Sequence, residues 1–270
     1  MTNLNKWIFG VSDFSSTEPL QNAEKIIASG FDFIEPGLGK AAEMPEDAFQ
    51  VAAERIKNAG IRVQSMNWFL PPTLKVTGPE VSDDKSHDFL SLALNRAEQL
   101  GAKAIVFGSP GSRSVPEGFS ESRAREQMIH FCRLCSDLIK EHSWGMKIAV
   151  EHVNHTETNF LNTFAQALDL VEEVNRTEIG LAADFYHFVI ENEATDVMKQ
   201  AGELICAVQL ANPKGRCFPR AEDEIPGMGL FFEHLTEIGY EGGISVEATV
   251  GKDLTEECRE AVEYFSQYKI

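Results

Sequence analysis

Short apolar runs alternate along the chain with longer segments in which apolar residues recur every three or four positions. The short runs are typical of buried strands, and the longer segments are typical of amphipathic helices. Eight runs are predicted as strands: residues 7–11, 31–35, 61–66, 104–107, 147–151, 179–184, 205–210 and 244–248. Eight strand–helix units in succession predict an α/β fold of the (β/α)₈ (TIM) barrel type.

Several helical segments end in glycine, the residue that tolerates the left-handed backbone of a helix C-terminus. These are Gly30, Gly60, Gly101 and Gly239. No linker or low-complexity segment divides the chain, so one domain is expected over residues 1–270. The longest irregular stretches, 67–81 and 108–119, follow the third and fourth strands, where a barrel has its catalytic face. An open doubly wound sheet is disfavoured, because the turn at residues 11–16 lacks the glycines of a dinucleotide-binding fingerprint.

The composition narrows the classes of partner. The chain has 270 residues and a formal net charge of −18, which disfavours nucleic acid and anionic membranes and favours a small-molecule substrate. No apolar run is long enough for a membrane span, and the N-terminal segment does not resemble a signal peptide, so a cytoplasmic location is expected. Assembly into a homo-oligomer is compatible with the sequence.

The five cysteines are scattered and odd in number, so disulfides are not expected. Cys132 and Cys135 have the spacing of a redox or zinc pair. They also continue an apolar helical stripe with Met128, Phe131 and Leu138, and core packing is the better interpretation.

Acidic or amide residues follow the apolar part of several strands, and barrel closure brings strand ends together. Four of them lie on strands five to eight in turn, namely Glu151, Asp184, Gln209 and Glu247. Carboxylates concentrated at a barrel mouth repel one another unless a cation neutralises them. The alternative for any one of them is an ordinary solvated acid or a lysine pair. Four at equivalent positions favour one shared divalent metal. Oxygen donors suit Mn²⁺ or Mg²⁺, and Co²⁺ and Zn²⁺ remain compatible.

Two further groups are predicted to contact a substrate. Arg216 follows strand seven in a local basic stretch and could bind a hydroxyl, carboxylate or phosphate. Trp68 follows strand three and could form an apolar wall over a sugar face, although such aromatic residues equally often pack a loop.

Residues 151–157, Glu-His-Val-Asn-His-Thr-Glu, with Leu-Asn-Thr at 161–163, resemble the Glu-x-x-Asn-Arg-x-Glu and Leu-Asn-Thr pattern of the D-tagatose/D-psicose 3-epimerase group of xylose isomerase-like barrels. Asp184 and His187 resemble that group's Asp-x-x-His, and Glu247 resembles its ligand on the last strand. There are two departures: His155 replaces an arginine, and Gln209 replaces a metal-binding histidine. Dehydroshikimate dehydratases, relatives in the same superfamily, include members with glutamine at that position.

The resemblance implies a divalent-metal-dependent isomerase or epimerase of a sugar or sugar-like substrate that works through an enediolate. Glu151 and Glu247 are then the catalytic pair, one removing a proton and the other returning it. The resemblance also gives His187 and Glu157 contacts with the substrate. Glu35 either makes a similar contact or holds a neighbouring base through an ion pair.

Three other functions stay open. A 3-dehydroshikimate dehydratase-like lyase would form the same enolate and expel a hydroxyl, and a non-catalytic barrel would only bind the sugar. An abasic-site endonuclease would need a histidine-rich site for three zinc ions and a basic surface that faces DNA. The chain has only seven histidines and a net charge of −18, so this function is disfavoured.

Overall fold

The computed structural model describes residues 7–268 as one (β/α)₈ barrel. The expectation that the N-terminal segment is not a signal peptide rests partly on residues 1–6, and these lie outside the described residues. The strands are β1 Ile8–Ser12, β2 Phe33–Glu35, β3 Ser65–Met66, β4 Ala104–Phe107, β5 Lys147–Glu151, β6 Ile179–Asp184, β7 Ile205–Leu210 and β8 Gly243–Val246. They form one parallel sheet in the order β2-β1-β8-β7-β6-β5-β4-β3. Parallel bridges Ile34–Val63 and Gly37–Asn67 join its two edges. The predicted fold class is confirmed.

Helices surround the barrel and pack apolar faces on it. They are α1 Pro19–Ala28, α2 Leu38–Glu43, α3 Glu46–Asn58, α4 Asp83–Leu100, α5 Pro110–Arg113, α6 Glu121–Glu141, α7 Phe164–Val174, α8 Phe185–Ile190, α9 Met198–Ala201, α10 Met228–Glu237 and α11 Leu254–Phe265. The four glycines predicted after helices all have positive φ. Within residues 7–268, no helix has both the length and the apolar character that a bilayer crossing needs.

The bounds of β4 to β7 agree with the prediction, whereas β3 is much shorter than the predicted 61–66. Val63 forms only an isolated bridge with β2, and the carbonyl of Gln64 instead accepts from Lys103 N–H on the β4 side. Residues 61–66 therefore contact β2 on one side and β4 on the other, but only Ser65 and Met66 form a regular strand. The stretch 108–119, predicted to be irregular, contains α5, which begins with Pro110 preset for a helical φ.

Cys132 and Cys135 lie on the buried face of α6, with Met128, Phe131 and Leu138. The core interpretation is confirmed, and all five cysteines are free thiols.

The interior of the barrel has an apolar base beneath a polar layer. Phe33 is fully buried there, and a Cβ at Gly10 would overlap its ring, while a Cβ at Gly243 would lie 2.8 Å from it. The two glycines therefore make room for the phenyl ring. Ala149, Ala182 and Ala207 belong to a separate buried cluster inside the barrel. Each lies two residues before a polar strand end, and side chains two apart share one face of a strand. The small side chains thus lie directly below the polar layer.

Phe33→Ala should lower the free energy of unfolding by about 3–5 kcal/mol, because it empties the base of the barrel and the strands cannot collapse into the space. Urea unfolding measures the change. Val51→Ala, at a site 69% exposed, is the control and should change it by less than about 0.5 kcal/mol. Equal effects of the two substitutions would show that the phenyl ring does not fill the barrel.

Candidate metal and substrate site

The carboxyl ends of the strands form a buried polar layer. Its members are at most 7% exposed: Ser12, Glu35, Ser65, Asn67, Glu151, Asp184, Gln209 and Glu247. Parallel pairing places Ser12 beside Glu35, and Asp184 beside Gln209. Residues far apart in the chain therefore reach one small volume because each lies at the end of a barrel strand.

Three side chains in this layer could hold a metal ion together. Glu151, Asp184 and His187 each place one ligand atom within 4.8 Å of the others. The Nε2 atom of His187 is 3.3 Å from Glu151 Oε1 and 3.6 Å from Asp184 Oδ2. Both of these carboxylate oxygens, and Gln209 Oε1, are buried and have no hydrogen-bond partner among the described residues. Unpartnered buried oxygens are costly, and a cation between Glu151 and Asp184 would satisfy the two carboxylate oxygens.

Glu247 stands apart from that group of three. Its Oε1 accepts from Asn67 Nδ2 at 2.9 Å and lies 3.4 Å from Gln209 Nε2, and its Oε2 accepts from Arg216. Of the four predicted metal-binding residues, the structure thus brings Glu151 and Asp184 together, with Gln209 between Asp184 and Glu247 in the strand order.

His187 lies on α8, one turn beyond Asp184, which caps that helix through Tyr186 N–H. The backbone N–H of Asn154 points at His187 Nδ1 at 3.3 Å, and the Asn154 amide lies 2.8 Å from the same atom. A backbone N–H can only donate, so Nδ1 is the acceptor and the proton of the neutral ring is on Nε2. Burial lowers the pKa of His187, although Asp184 opposes the shift. In this tautomer the ring presents an N–H donor to the site, so the metal-binding atoms of the group of three are the oxygens of Glu151 and Asp184.

The buried carboxyl groups titrate far from their usual range. Burial, reinforced by Glu151 and Glu247 and opposed by His187, raises the pKa of Asp184 to about 7. Burial and then the nearby Glu247 raise the pKa of Glu151 well above its ordinary value. Without a cation, burial therefore favours the protonated forms of Asp184 and Glu151.

Arg216 closes one side of the site. It donates to Glu157 at 2.9 Å and to Glu247, and its guanidinium lies between the rings of Phe14 and Tyr186, at 4.1 and 4.4 Å from their centroids. The nearby carboxylates raise its pKa against the effect of burial. Glu157, predicted to contact substrate, is thus also the partner that holds Arg216 in place.

The position of Glu151 depends on two neighbours from the β4 side. A Cβ at Gly108 would clash with Glu151 Oε2, so any other residue at this position would force the carboxylate to move. Arg113 is fully buried, and its Nη1 donates to the carbonyls of Glu151 at 2.6 Å and Phe107 at 3.2 Å. Burial lowers the pKa of Arg113 to about 10.

A cavity of about 220 Å³ opens above these groups, and Glu151, Glu157, His187, Arg216 and Glu247 line it. Trp68 lies at its mouth and is 49% exposed, with a φ of 46° that is unusual for a bulky side chain. All the predicted substrate-binding residues therefore share one cavity wall.

Several residues of the site were not predicted. Asn67 directly follows β3, where the rule applied to the later strands would also have selected it. Ser12 and Ser65 are neither acidic nor amide residues, so that rule does not select them. Glu35 makes no ion pair within the described residues, and it instead accepts hydrogen bonds from Ser12, Ser65 and Gln209. Asn154 is the asparagine of the matched Glu-x-x-Asn pattern, but its contact with His187, like the contacts of Arg113, could be recognised only from the structure.

Comparison with known proteins places the chain among barrels of one type. Residues 23–268 match the family described as xylose isomerase-like TIM barrel. The inosose isomerase of Bacillus subtilis (strain 168) is 36% identical over 184 residues, 61% of this chain and 62% of that protein. The ketose 3-epimerase of Arthrobacter globiformis is 33% identical over 106 residues, 38% of this chain and 35% of that protein. The chain thus spans less than two thirds of the length of these curated relatives.

The structural similarity covers more of the chain than the sequence matches do. The crystal structure of a D-allulose 3-epimerase from Methylomonas sp. superposes with a TM-score of 0.80 over 99% of both chains, at 21% sequence identity. At that identity the likeness concerns the fold.

The raised pKa of Asp184 predicts that metal binding depends on pH. Protons compete with a cation for this carboxylate below about pH 7, so the Kd for Mn²⁺, measured by calorimetry, should be about tenfold weaker at pH 6 than at pH 8. In the metal-free protein the folded state holds this proton more tightly than the unfolded state. That stabilisation is lost as pH rises through about 7, so the melting temperature should fall from pH 5 to pH 8, and less so with Mn²⁺ bound. A pH-independent Kd would contradict the assignment.

Proposed function

Because the chain belongs to the family of xylose isomerase-like TIM barrels, we propose that it is a divalent-metal-dependent isomerase or epimerase of a sugar or sugar-like ketone. The observation that carries this proposal is the set of buried, unpartnered oxygens on Glu151, Asp184 and Gln209. Relatives named inosose isomerase and ketose 3-epimerase support the same class of reaction.

Glu151, Asp184, Gln209 and Glu247 would hold the metal, and their oxygen donors suit Mn²⁺ or Mg²⁺, with Co²⁺ and Zn²⁺ also compatible. When bound, the cation polarises a carbonyl and stabilises negative charge on an adjacent oxygen. In that role Glu247 would exchange its contacts with Asn67 and Arg216 for a position facing Glu151 and Asp184.

Glu151 and Glu247 carry the proton transfers. One carboxylate takes the proton from the carbon next to the carbonyl, and the electron pair of the broken C–H bond passes into the enediolate. Return of a proton by the other carboxylate to the opposite face inverts that carbon. Return to the neighbouring carbon, together with transfer of the hydroxyl proton to the former carbonyl oxygen, moves the carbonyl. Their surroundings differ as the two roles require: burial raises the pKa of Glu151, and Glu247 lies against Arg216.

The other lining groups orient the substrate. The Nε2–H of His187 is available to a substrate oxygen, and Arg216 with Glu157 offers a donor and an acceptor for hydroxyl groups. Trp68 covers the mouth of the cavity. These contacts hold the reacting carbon beside the carboxylates and exclude water from it.

The charges in the cavity favour an uncharged substrate. Among the described lining residues, Arg216 is the one permanently charged cation, and it already contacts two carboxylates. A phosphate or carboxylate on the substrate would therefore be buried near acidic groups without a free partner. The cavity of about 220 Å³ suits a free monosaccharide or a cyclic keto-polyol.

Proton exchange tests the reaction. With Mn²⁺ in D₂O, a panel of free ketoses and inososes should contain at least one member that gains deuterium next to its carbonyl. Glu247→Gln should slow this exchange about 10²- to 10⁴-fold, because it removes a proton carrier. Glu241→Gln is the matched control, because Glu241 is exposed and precedes the opposite end of β8. It should leave the rate of exchange unchanged. Metal and sugar binding without exchange would instead indicate a sugar-binding barrel.

A lyase of the dehydroshikimate dehydratase type is the second candidate, since Gln209 favours it. Its substrate carries a carboxylate, for which the cavity offers no free cation. We therefore expect no rise in catechol absorbance with 3-dehydroshikimate. The same lack of a free cation disfavours phosphorylated substrates, so kcat/KM for ketose phosphates should be about 100-fold or more below that for free ketoses. Catechol formation would replace the isomerase proposal with the lyase.

A further inference from the structure

The side-chain amide of Gln209 has all its hydrogen bonds at one end. Its Nε2 lies 2.7 Å from Glu35 Oε1 and 3.4 Å from both Ser12 Oγ and Glu247 Oε1. Its Oε1 has no partner among the described residues, although the side chain is fully buried. Gln209 pairs with Asp184 across β6 and β7, so both side chains point into the same polar layer.

Glu35 is the main reason for this asymmetry. It is 1% exposed at the end of β2, and its Oε1 accepts from Ser12 Oγ at 2.6 Å as well as from Gln209. Its Oε2 accepts from Ser65 Oγ. Every one of these contacts uses the carboxylate as an acceptor, which is the only role that an ionised carboxylate has.

An amide differs from an imidazole in a way that makes such a partner necessary. A half-turn of the amide exchanges a donor for an acceptor at nearly constant shape. In Gln209 that turn would place two oxygens 2.7 Å apart at Glu35 and would put an NH₂ group where the unpartnered Oε1 now lies. A hydrogen-bonded neighbour behind the amide therefore decides whether oxygen or nitrogen faces a cation.

We propose that Glu35 is a positioning residue that fixes the Gln209 amide with its oxygen facing the metal site. The proposal rests on the metal-dependent function proposed above. Glu35 contacts neither substrate nor metal in this role, and it acts through the hydrogen bond to Nε2. The pair is the amide counterpart of a carboxylate that orients a metal-binding histidine.

Glu35→Gln tests this role, because it keeps the shape and can present a second NH₂ group to Gln209. The Kd for Mn²⁺, measured by the EPR signal of free Mn²⁺, should weaken about 10- to 100-fold. Ser65→Ala is the matched control: it removes a hydrogen bond from the other Glu35 oxygen, so the Kd should stay within about threefold. A Glu35→Gln Kd equal to that of the wild type would overturn the proposal.

A reversed pair tests the same contact in a second way. Gln209→Glu sets two carboxylates against each other and should lower the melting temperature of the metal-free protein. Adding Glu35→Gln restores one donor and one acceptor, so the double variant should regain melting temperature relative to Gln209→Glu and Mn²⁺ affinity relative to Glu35→Gln. Additive losses would overturn the proposal, and this cycle decides the matter if Glu35→Gln alone is too unstable to purify.

The wild-type titration separates this inference from the proposed function. Wild-type protein that binds no Mn²⁺ would remove the metal-dependent function. Tight wild-type binding that Glu35→Gln leaves unchanged would remove only the positioning role.

Discussion

The site is built around the mutual repulsion of carboxylates buried in one small volume. Glu35, Glu151, Asp184 and Glu247 converge there from four strands, and burial raises the pKa of several of them. In the described structure Arg216 is the cation that directly touches this group, and it contacts Glu247 alone among the four. The remaining partners are neutral hydroxyl, amide and imidazole groups. Such a cluster is held in its ionised form by a cation, and that requirement links the fold to the proposed chemistry.

The barrel satisfies this requirement through its layered interior. Phe33 and the alanines below the polar layer exclude water from one side, and the β-to-α loops cover the other. The walls keep the local dielectric low, so each remaining hydrogen bond has a large effect on orientation. His187 and Gln209 are both fixed from behind, by Asn154 and by Glu35.

The sequence predicted what depends on local pattern. Apolar runs located the strands, and the position of Glu151, Asp184, Gln209 and Glu247 after such runs was enough to bring them to one end of the barrel. The local sequence pattern could not predict how these side chains are oriented. The tautomer of His187 and the direction of the Gln209 amide depend on neighbours 33 and 174 residues away. The buried Arg113 resembles an ordinary loop arginine until its carbonyl partners are known. The short β3 likewise depends on how residues 61–66 pair with β2 and β4, which local pattern does not reveal.

At Gly108 the integrity of the fold and the position of the Glu151 carboxylate are affected separately. Any side chain at this position would displace the far end of the flexible Glu151 side chain, while the backbone of β4 has no reason to move. Natural variants with another residue here would accumulate in the cell as intact barrels with an altered carboxylate. Screens that select for expression or solubility would pass them, and only an assay of turnover would tell them apart from the parent.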